Sequence, residues 1–296
     1  MMRRLVTMLL VLTCLIVGLP AAWAEADRFH MGFYLPGIRD ANLADVRVSL
    51  QLWAEEIGNN YGFKARAFMY QDLRDMRRDL LENRIDLIIA PGMEMAENFS
   101  LEELGDGFTG YRRGVREGLA LIVARPARVE RLADLRGKRL VRLEQDRLSD
   151  VYLETLCLKE AGAPCAEWLS VSEEKRDAQS IHKVFFGKAD AALVRLSALS
   201  AAVELNPQIA ARVHTLREWK TLTLSFGLLG PRVAPEMRER MTRAGLEATK
   251  TPRGRQILEI FKNDYMDRVN KTDLEPFWHL SNEYRALTRT RQARKK

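Results

Sequence analysis

The sequence predicts an α/β protein of two lobes, each a mostly parallel sheet flanked by helices, joined by two chain crossovers that form a hinge. Three observations carry this expectation. Short apolar runs bounded by Pro and Gly alternate with stretches of helical apolar spacing, the pattern of βαβ units with right-handed crossovers. This series occurs twice, with a change of course between Gly105 and Gly118. Finally, a chain of 296 residues is too long for one ordinary core.

Residues 1–24 have the form of a cleavable export signal. Arg3 and Arg4 precede the apolar run Leu5 to Leu19, Pro20 breaks it, and Ala22-Trp23-Ala24 supplies a small-x-small cleavage pattern. The run is too short and wrongly flanked for a membrane span. Cys14 lies inside the run after Thr13, which does not match a lipidation signal. A periplasmic location is expected.

The formal charge of +7 is matched by seven basic residues at the chain ends: Arg3, Arg4, Arg289, Arg291, Arg294, Lys295 and Lys296. The body is therefore neutral, which argues against a nucleic-acid partner. The basic stretch 288–296 lacks aromatics and is expected to be a solvated, disordered tail. After processing two cysteines remain, Cys157 and Cys165. Outside the cytoplasm such a pair favours a disulfide over two separately buried thiols, and the Gly162-Ala163-Pro164 break allows the chain to turn back.

Phe29 to Leu35 alternates as a strand and ends at Pro36-Gly37; Leu43 to Tyr61 has helical spacing and stops at Gly62. Phe63 to Tyr70 is a second strand, Leu73 to Asn83 a charged amphipathic helix, and Ile85 to Ala90 a strand apolar on both faces. The Gly-rich segment 105–118 then leads to the strand Leu119 to Ala124. A second series follows: strand Arg139 to Leu143, helix Ser149 to Ala161, strand Trp168 to Val171, helix Lys175 to Phe186, strand Ala189 to Val194 and helix Leu196 to Glu204. Val213 to Leu216 and Leu222 to Leu229 are strands, and from Pro235 the chain is expected to be helical to its end. The expected division is 25–116 with 221–287 for lobe I and 117–220 for lobe II.

The stretch from Leu132 to Leu156 organises the rest. It is a strand, a short loop and a helix start at Ser149-Asp150, with Arg139, Arg142 and Arg147 close by. Ligands of open α/β sheets bind at the carboxyl ends of strands, and a helix N-terminus there favours an anionic group.

The order of motifs resembles the phosphonate/phosphate-type substrate-binding proteins of ABC importers, in the type 2 periplasmic-binding fold. Leu132 to Arg139 is similar to the family's "DLkGK" entry to the second lobe, Val184 to Val194 to its "v..G.aDaa.v" unit, and Thr251 to Leu258 with Phe261 to its late "p.G..iL..f" helix. The resemblance implies an exported binding protein that closes on a small anionic, phosphonate- or phosphate-like solute. One loop departs from the pattern. Where phosphonate binders carry a Ser/Thr-Ser-Gly-rich loop, this chain has Glu144-Gln145-Asp146-Arg147-Leu148-Ser149-Asp150, without Gly and with three acids that would repel an oxyanion.

The candidate ligand-binding residues are Tyr34 and Tyr70 at strand ends, Glu94 after the central strand, Arg142, Arg147 and Ser149 around the organising loop, and Asp190 and Arg195 flanking the buried strand of the second lobe. For each a structural role stands beside the binding one: packing for the tyrosines, helix capping for Glu94, a turn anchor for Asp190. His30, His182, His214 and His279 lack ligand spacing, so no metal or cofactor is expected. No nucleophile motif or paired-carboxylate set stands out, and no enzymatic activity is expected. The expected partners are a small-molecule solute and an ABC importer permease, or alternatively a membrane-bound sensor protein to which a binding-altered module reports. The chain is expected to be a monomer.

Overall fold

The computed structural model describes residues 28–38, 42–115 and 117–294. The export signal expected at 1–24 lies outside the described residues. The chain begins β1 (Arg28–Tyr34), α1 (Leu43–Tyr61), β2 (Lys64–Tyr70), α2 (Leu73–Leu81), β3 (Leu87–Pro91), α3 (Gly92–Asn98) and β4 (Gly107–Tyr111). It continues through β5 (Glu117–Ala124), β6 (Arg139–Leu143), α4 (Arg147–Ala161), the single turn α5 (Cys165–Trp168), β7 (Ser170–Glu174), α6 (Asp177–Phe185), β8 (Ala191–Arg195), α7 (Leu196–Leu205), α8 (Gln208–Arg212) and β9 (Val213–Thr221). The last part is β10 (Ser225–Leu229), α9 (Pro235–Leu246), α10 (Pro252–Ile260), β11 (Tyr265–Val269) and α11 (Glu275–Arg294).

These strands form two sheets, ordered β11-β4-β10-β3-β1-β2 and β7-β6-β8-β5-β9. The architecture is the two-lobed, two-crossover one expected, but neither sheet is mostly parallel. In the first, β1 pairs in parallel with β2 and β3, whereas β10 runs against β3 and β4, and β11 against β4. In the second, β6 is parallel to β7 and β8, whereas β5 runs against β8 and β9. The reason lies in the crossovers. Ser225 at the start of β10 faces Pro91 at the end of β3, and Leu119 near the start of β5 faces Arg195 at the end of β8. A strand entering from the carboxyl ends of parallel strands must run against them.

Local chemistry sets the element ends. The Asn42 side chain accepts from the Ala44 N–H at 2.9 Å to start α1, and Gly62 ends it in the left-handed region at φ 73°. The face carrying Val46, Leu50, Trp53, Ala54 and Ile57 is buried against the first sheet. Asp72 caps α2 in the same way, accepting from the Arg74 N–H at 2.8 Å.

Three elements depart from the pattern read along the chain. Gly92–Asn98, directly after the central strand and not assigned along the chain, is the helix α3. Tyr265–Val269 is a strand inside a stretch expected to be helical: β11 is a partly exposed edge whose partner β4 is remote in sequence, so no local run of apolar residues announces it. The helix α11 runs to Arg294, so 288–294 is helical and not a disordered tail; Arg291 reaches Glu167 at 2.6 Å. This helix lies across both lobes. Its residue Glu283 meets Lys159 of α4 at 2.8 Å, and Trp278 donates to the Phe99 carbonyl beyond α3 at 3.2 Å.

Cys157 on α4 and Cys165 on α5 form a disulfide across eight positions. Closing so short a loop stabilises by about 2–3 kcal/mol in the chain-entropy account. Replacing both cysteines with Ala is expected to lower the unfolding free energy by that amount and to remove the response of the urea midpoint to reductant. A midpoint unchanged by reducing the wild type would contradict this.

Candidate ligand cleft

A cavity of about 310 Å³ opens between the two sheets, at the carboxyl ends of β1, β3 and β8 and beside both crossovers. Its position follows from the topology, since these ends all point at the junction of the lobes. From the first lobe it is lined by Tyr34, Pro91 and Glu94, by Thr109 and Arg112 at the end of β4, and by Thr223 and Ser225 on the returning crossover. From the second come Glu117, Asp146, Leu148, Arg195 and Ser197.

The hydroxyls at the second crossover are oriented by backbone carbonyls. Ser225 Oγ donates to the Ala90 carbonyl at 3.2 Å, and Thr223 Oγ1 to the Ser225 carbonyl at 3.0 Å. Thr223 Oγ1 also accepts the Ser225 N–H at 3.4 Å, so its second lone pair and those of Ser225 Oγ remain as acceptors for a solute. Tyr34 sits at the first strand's end, where burial, reinforced by the Glu94 and Asp72 carboxylates, pushes its phenol pKa above the ordinary value.

Arg195 leaves β8 at the cavity wall, its side chain 28% exposed although protein surrounds it on nearly all sides. Its Nη2 meets Asp146 Oδ1 at 3.3 Å, and its backbone N–H donates to Asp177 Oδ1 at 3.2 Å. Burial opposes its charge, but the Asp146 and Asp177 carboxylates outweigh burial and hold its pKa above the ordinary value. Asp146 immediately precedes α4, is itself buried, and accepts a hydrogen bond from Ser149 Oγ. Glu117, at the first crossover, has its carboxyl pushed up by burial, with Arg112 and Arg195 opposing; Arg112 Nη2 lies 3.9 Å away. The charged lining is balanced: Glu94, Glu117 and Asp146 against Arg112, Arg195 and Lys262.

The sequence-derived candidates therefore divide. Tyr34, Glu94 and Arg195 line the cavity. Ser149 lies beneath it, holding Asp146. The others lie outside its lining and are engaged elsewhere. Tyr70 donates to Asp79 at 2.9 Å, and burial followed by that bond raises its pKa. Arg142 is held by Asp150 and by Glu173, the latter at 2.6 Å. Arg147 grips Glu97 of α3 through two bonds of 2.8 and 2.6 Å, with the Tyr284 ring of α11 beside its guanidinium. Asp190 accepts from the Arg139 backbone and guanidinium at 2.9 and 3.1 Å; it anchors the turn before β8, and the guanidinium bond leads the causes that lower its pKa. Arg112, Glu117, Thr223 and Ser225 were not singled out along the chain, because only the paired crossovers bring them together. Among the described residues no group of three or more His, Cys, Asp and Glu is placed to hold a metal, and no helix is long and apolar enough to cross a membrane.

Comparison with solved structures places the fold. XAC2383 from Xanthomonas citri, bound to chloride ion, superposes with a TM-score of 0.62 at 15% identity, covering 89% of this chain and 99% of its own. A binding-protein component of an ABC phosphonate transporter from Pseudomonas aeruginosa gives 0.55 at 10% identity, covering 89% and 88%. PhnD1 from Prochlorococcus marinus, in complex with methylphosphonate, gives 0.54 at 12% identity, covering 89% and 99%. At such identities the likeness carries the type 2 periplasmic-binding fold and not the ligand. A search of curated proteins finds no match. The sequence profile described as "ABC transporter, phosphonate, periplasmic substrate-binding protein" matches residues 40–275, most of the chain. With its two mixed sheets, its paired crossovers and a cavity between them, this chain belongs to the phosphonate family of ABC-transporter periplasmic substrate-binding proteins.

Proposed function

We propose that the protein is an exported solute-binding protein that closes on a small polar solute and delivers it to an inner-membrane ABC importer. The cavity between the lobes is the observation that carries this: strand ends, crossover hydroxyls and charged side chains of both lobes converge on about 310 Å³. The solute is bound rather than transformed. The balance of three acids against three bases in the lining favours a solute that is neutral or bears both signs of charge over a phosphonate-like dianion. Glu94, Glu117 and the hydroxyls of Thr223 and Ser225 receive its donors, and Arg112 its acceptors.

A second reading, a module reporting to a membrane signalling protein, draws support from the ties outside the crossovers. The Glu97–Arg147–Tyr284 contacts join α3, α4 and α11, and they restrain the lobes from opening.

Thermal unfolding of the mature chain against amino acids, small amides, carboxylates, sulfonates, phosphate and alkylphosphonates tests the proposal. A bound solute at 100 times its dissociation constant adds about 2.7 kcal/mol of stability. A raised midpoint together with a smaller radius of gyration in solution scattering is expected for at least one member. A folded protein that responds to none moves the assignment to the signalling module.

A further inference from the structure

The lining contains one arrangement that decides which solutes the cleft refuses. Arg195 is the basic side chain at its wall on the second lobe, and in many clefts such a guanidinium would receive a ligand oxyanion. Here Asp146 Oδ1 already faces Arg195 Nη2 at 3.3 Å, and the other oxygen of Asp146 takes the hydrogen bond from Ser149 Oγ. Both carboxylate oxygens are thus engaged by protein partners. Asp146 also precedes the first turn of the 15-residue helix α4, where its charge is favoured by the helix dipole that would otherwise attract an anion. Asp177 and Glu117 add two more carboxylates to the surroundings of the same guanidinium. The Arg195 guanidinium is therefore already committed to carboxylates of the protein, and a dianion at this wall meets the Asp146 carboxylate in its way.

We propose that Asp146 is a specificity-determining residue of the cleft: its carboxylate occupies Arg195 in place of a ligand oxyanion and so excludes phosphate and phosphonate dianions. This rests on the solute-binding reading above and adds to it the class of solute that is refused. Neutralising Asp146 without changing its shape leaves Arg195 with charge to spare, and the cleft then accepts what it excluded.

The test is isothermal titration of methylphosphonate and of inorganic phosphate into the full mature chain, as wild type, Asp146→Asn, Asp146→Ser and Asp146→Glu, each checked for folding by circular dichroism. Asp146→Asn and Asp146→Ser are expected to bind methylphosphonate at least roughly tenfold more tightly than the wild type, whereas Asp146→Glu, which keeps the charge, gains nothing. Equal affinity of the wild type and a folded Asp146→Asn for either anion overturns the proposal. Should both neutral variants fail to fold, the wild type decides: binding of methylphosphonate sinks the inference, and silence toward it in a chain that responds to another solute supports it. The two readings fail differently. A wild type that binds methylphosphonate as tightly as folded Asp146→Asn ends the inference and leaves the solute-binding reading standing, whereas silence of the wild type toward every solute and of folded Asp146→Asn toward both anions ends both.

Discussion

Arg195→Ala is expected to lower the unfolding free energy by about 3 kcal/mol, the lower end of the range for breaking a buried ion pair, because its guanidinium is only partly withdrawn from the cavity. The loss comes from what is left behind. Asp146 is buried, and without Arg195 its carboxylate loses the guanidinium that faces Oδ1 at 3.3 Å. A carboxylate deprived of its cation is costly, whereas removing both charges together costs much less. The double variant Arg195→Met with Asp146→Leu is accordingly expected to recover most of the loss. Urea unfolding of Arg195→Met, Asp146→Leu and the double variant measures this as a coupling energy. Additivity of the single losses would mean that the pair at 3.3 Å contributes nothing of its own.

Phe277→Ala is expected to cost about 3–5 kcal/mol, the usual range for truncating a fully buried aromatic ring. The ring is at 0% exposure near the start of α11. It meets Trp219 of β9 edge-to-face at 5.0 Å between centroids and Phe226 of β10 at 5.7 Å. Gly92, the first residue of α3, approaches so closely that a Cβ there would stand 2.7 Å from the Phe277 ring. One side chain therefore joins the edge strand of the second sheet, a central strand of the first, and the helix that opens behind the cavity. The surroundings belong to two sheets and cannot collapse together to fill the space, which puts the expected loss high in the range. The fall in urea midpoint at unchanged slope reads the effect. A loss below about 1 kcal/mol would show that the ring is not a structural joint.

The alternation of strands and helices was legible because each βαβ unit announces itself locally: β3 is apolar on both faces, α1 has its cap at Asn42 and its stop at Gly62. The cysteine pair was legible too, since two cysteines left in an exported chain favour a bridge, and the Gly-Ala-Pro break lets Cys165 turn back to Cys157. What was not legible depends on partners remote in sequence. The edge strand β11 exists because β4 lies beside it, and the basic end of the chain is helical up to Arg294, with Arg291 held by Glu167.

The same division runs through the cleft. Arg142, Arg147 and Arg195 look equivalent along the chain, three bases near strand ends or helix starts. Folding turns the first toward Asp150 and Glu173 and the second toward Glu97 and Tyr284, leaving Arg195 at the cavity. Asp146, written along the chain as one of three acids in a loop, becomes the partner of that arginine. By itself, then, the sequence determined the two series of elements, the family and the loop whose acids set it apart. Only the tertiary structure decided which charges line the cavity, because a side chain's charge is a local property, whereas its neutralisation depends on which distant group the two crossovers bring within reach.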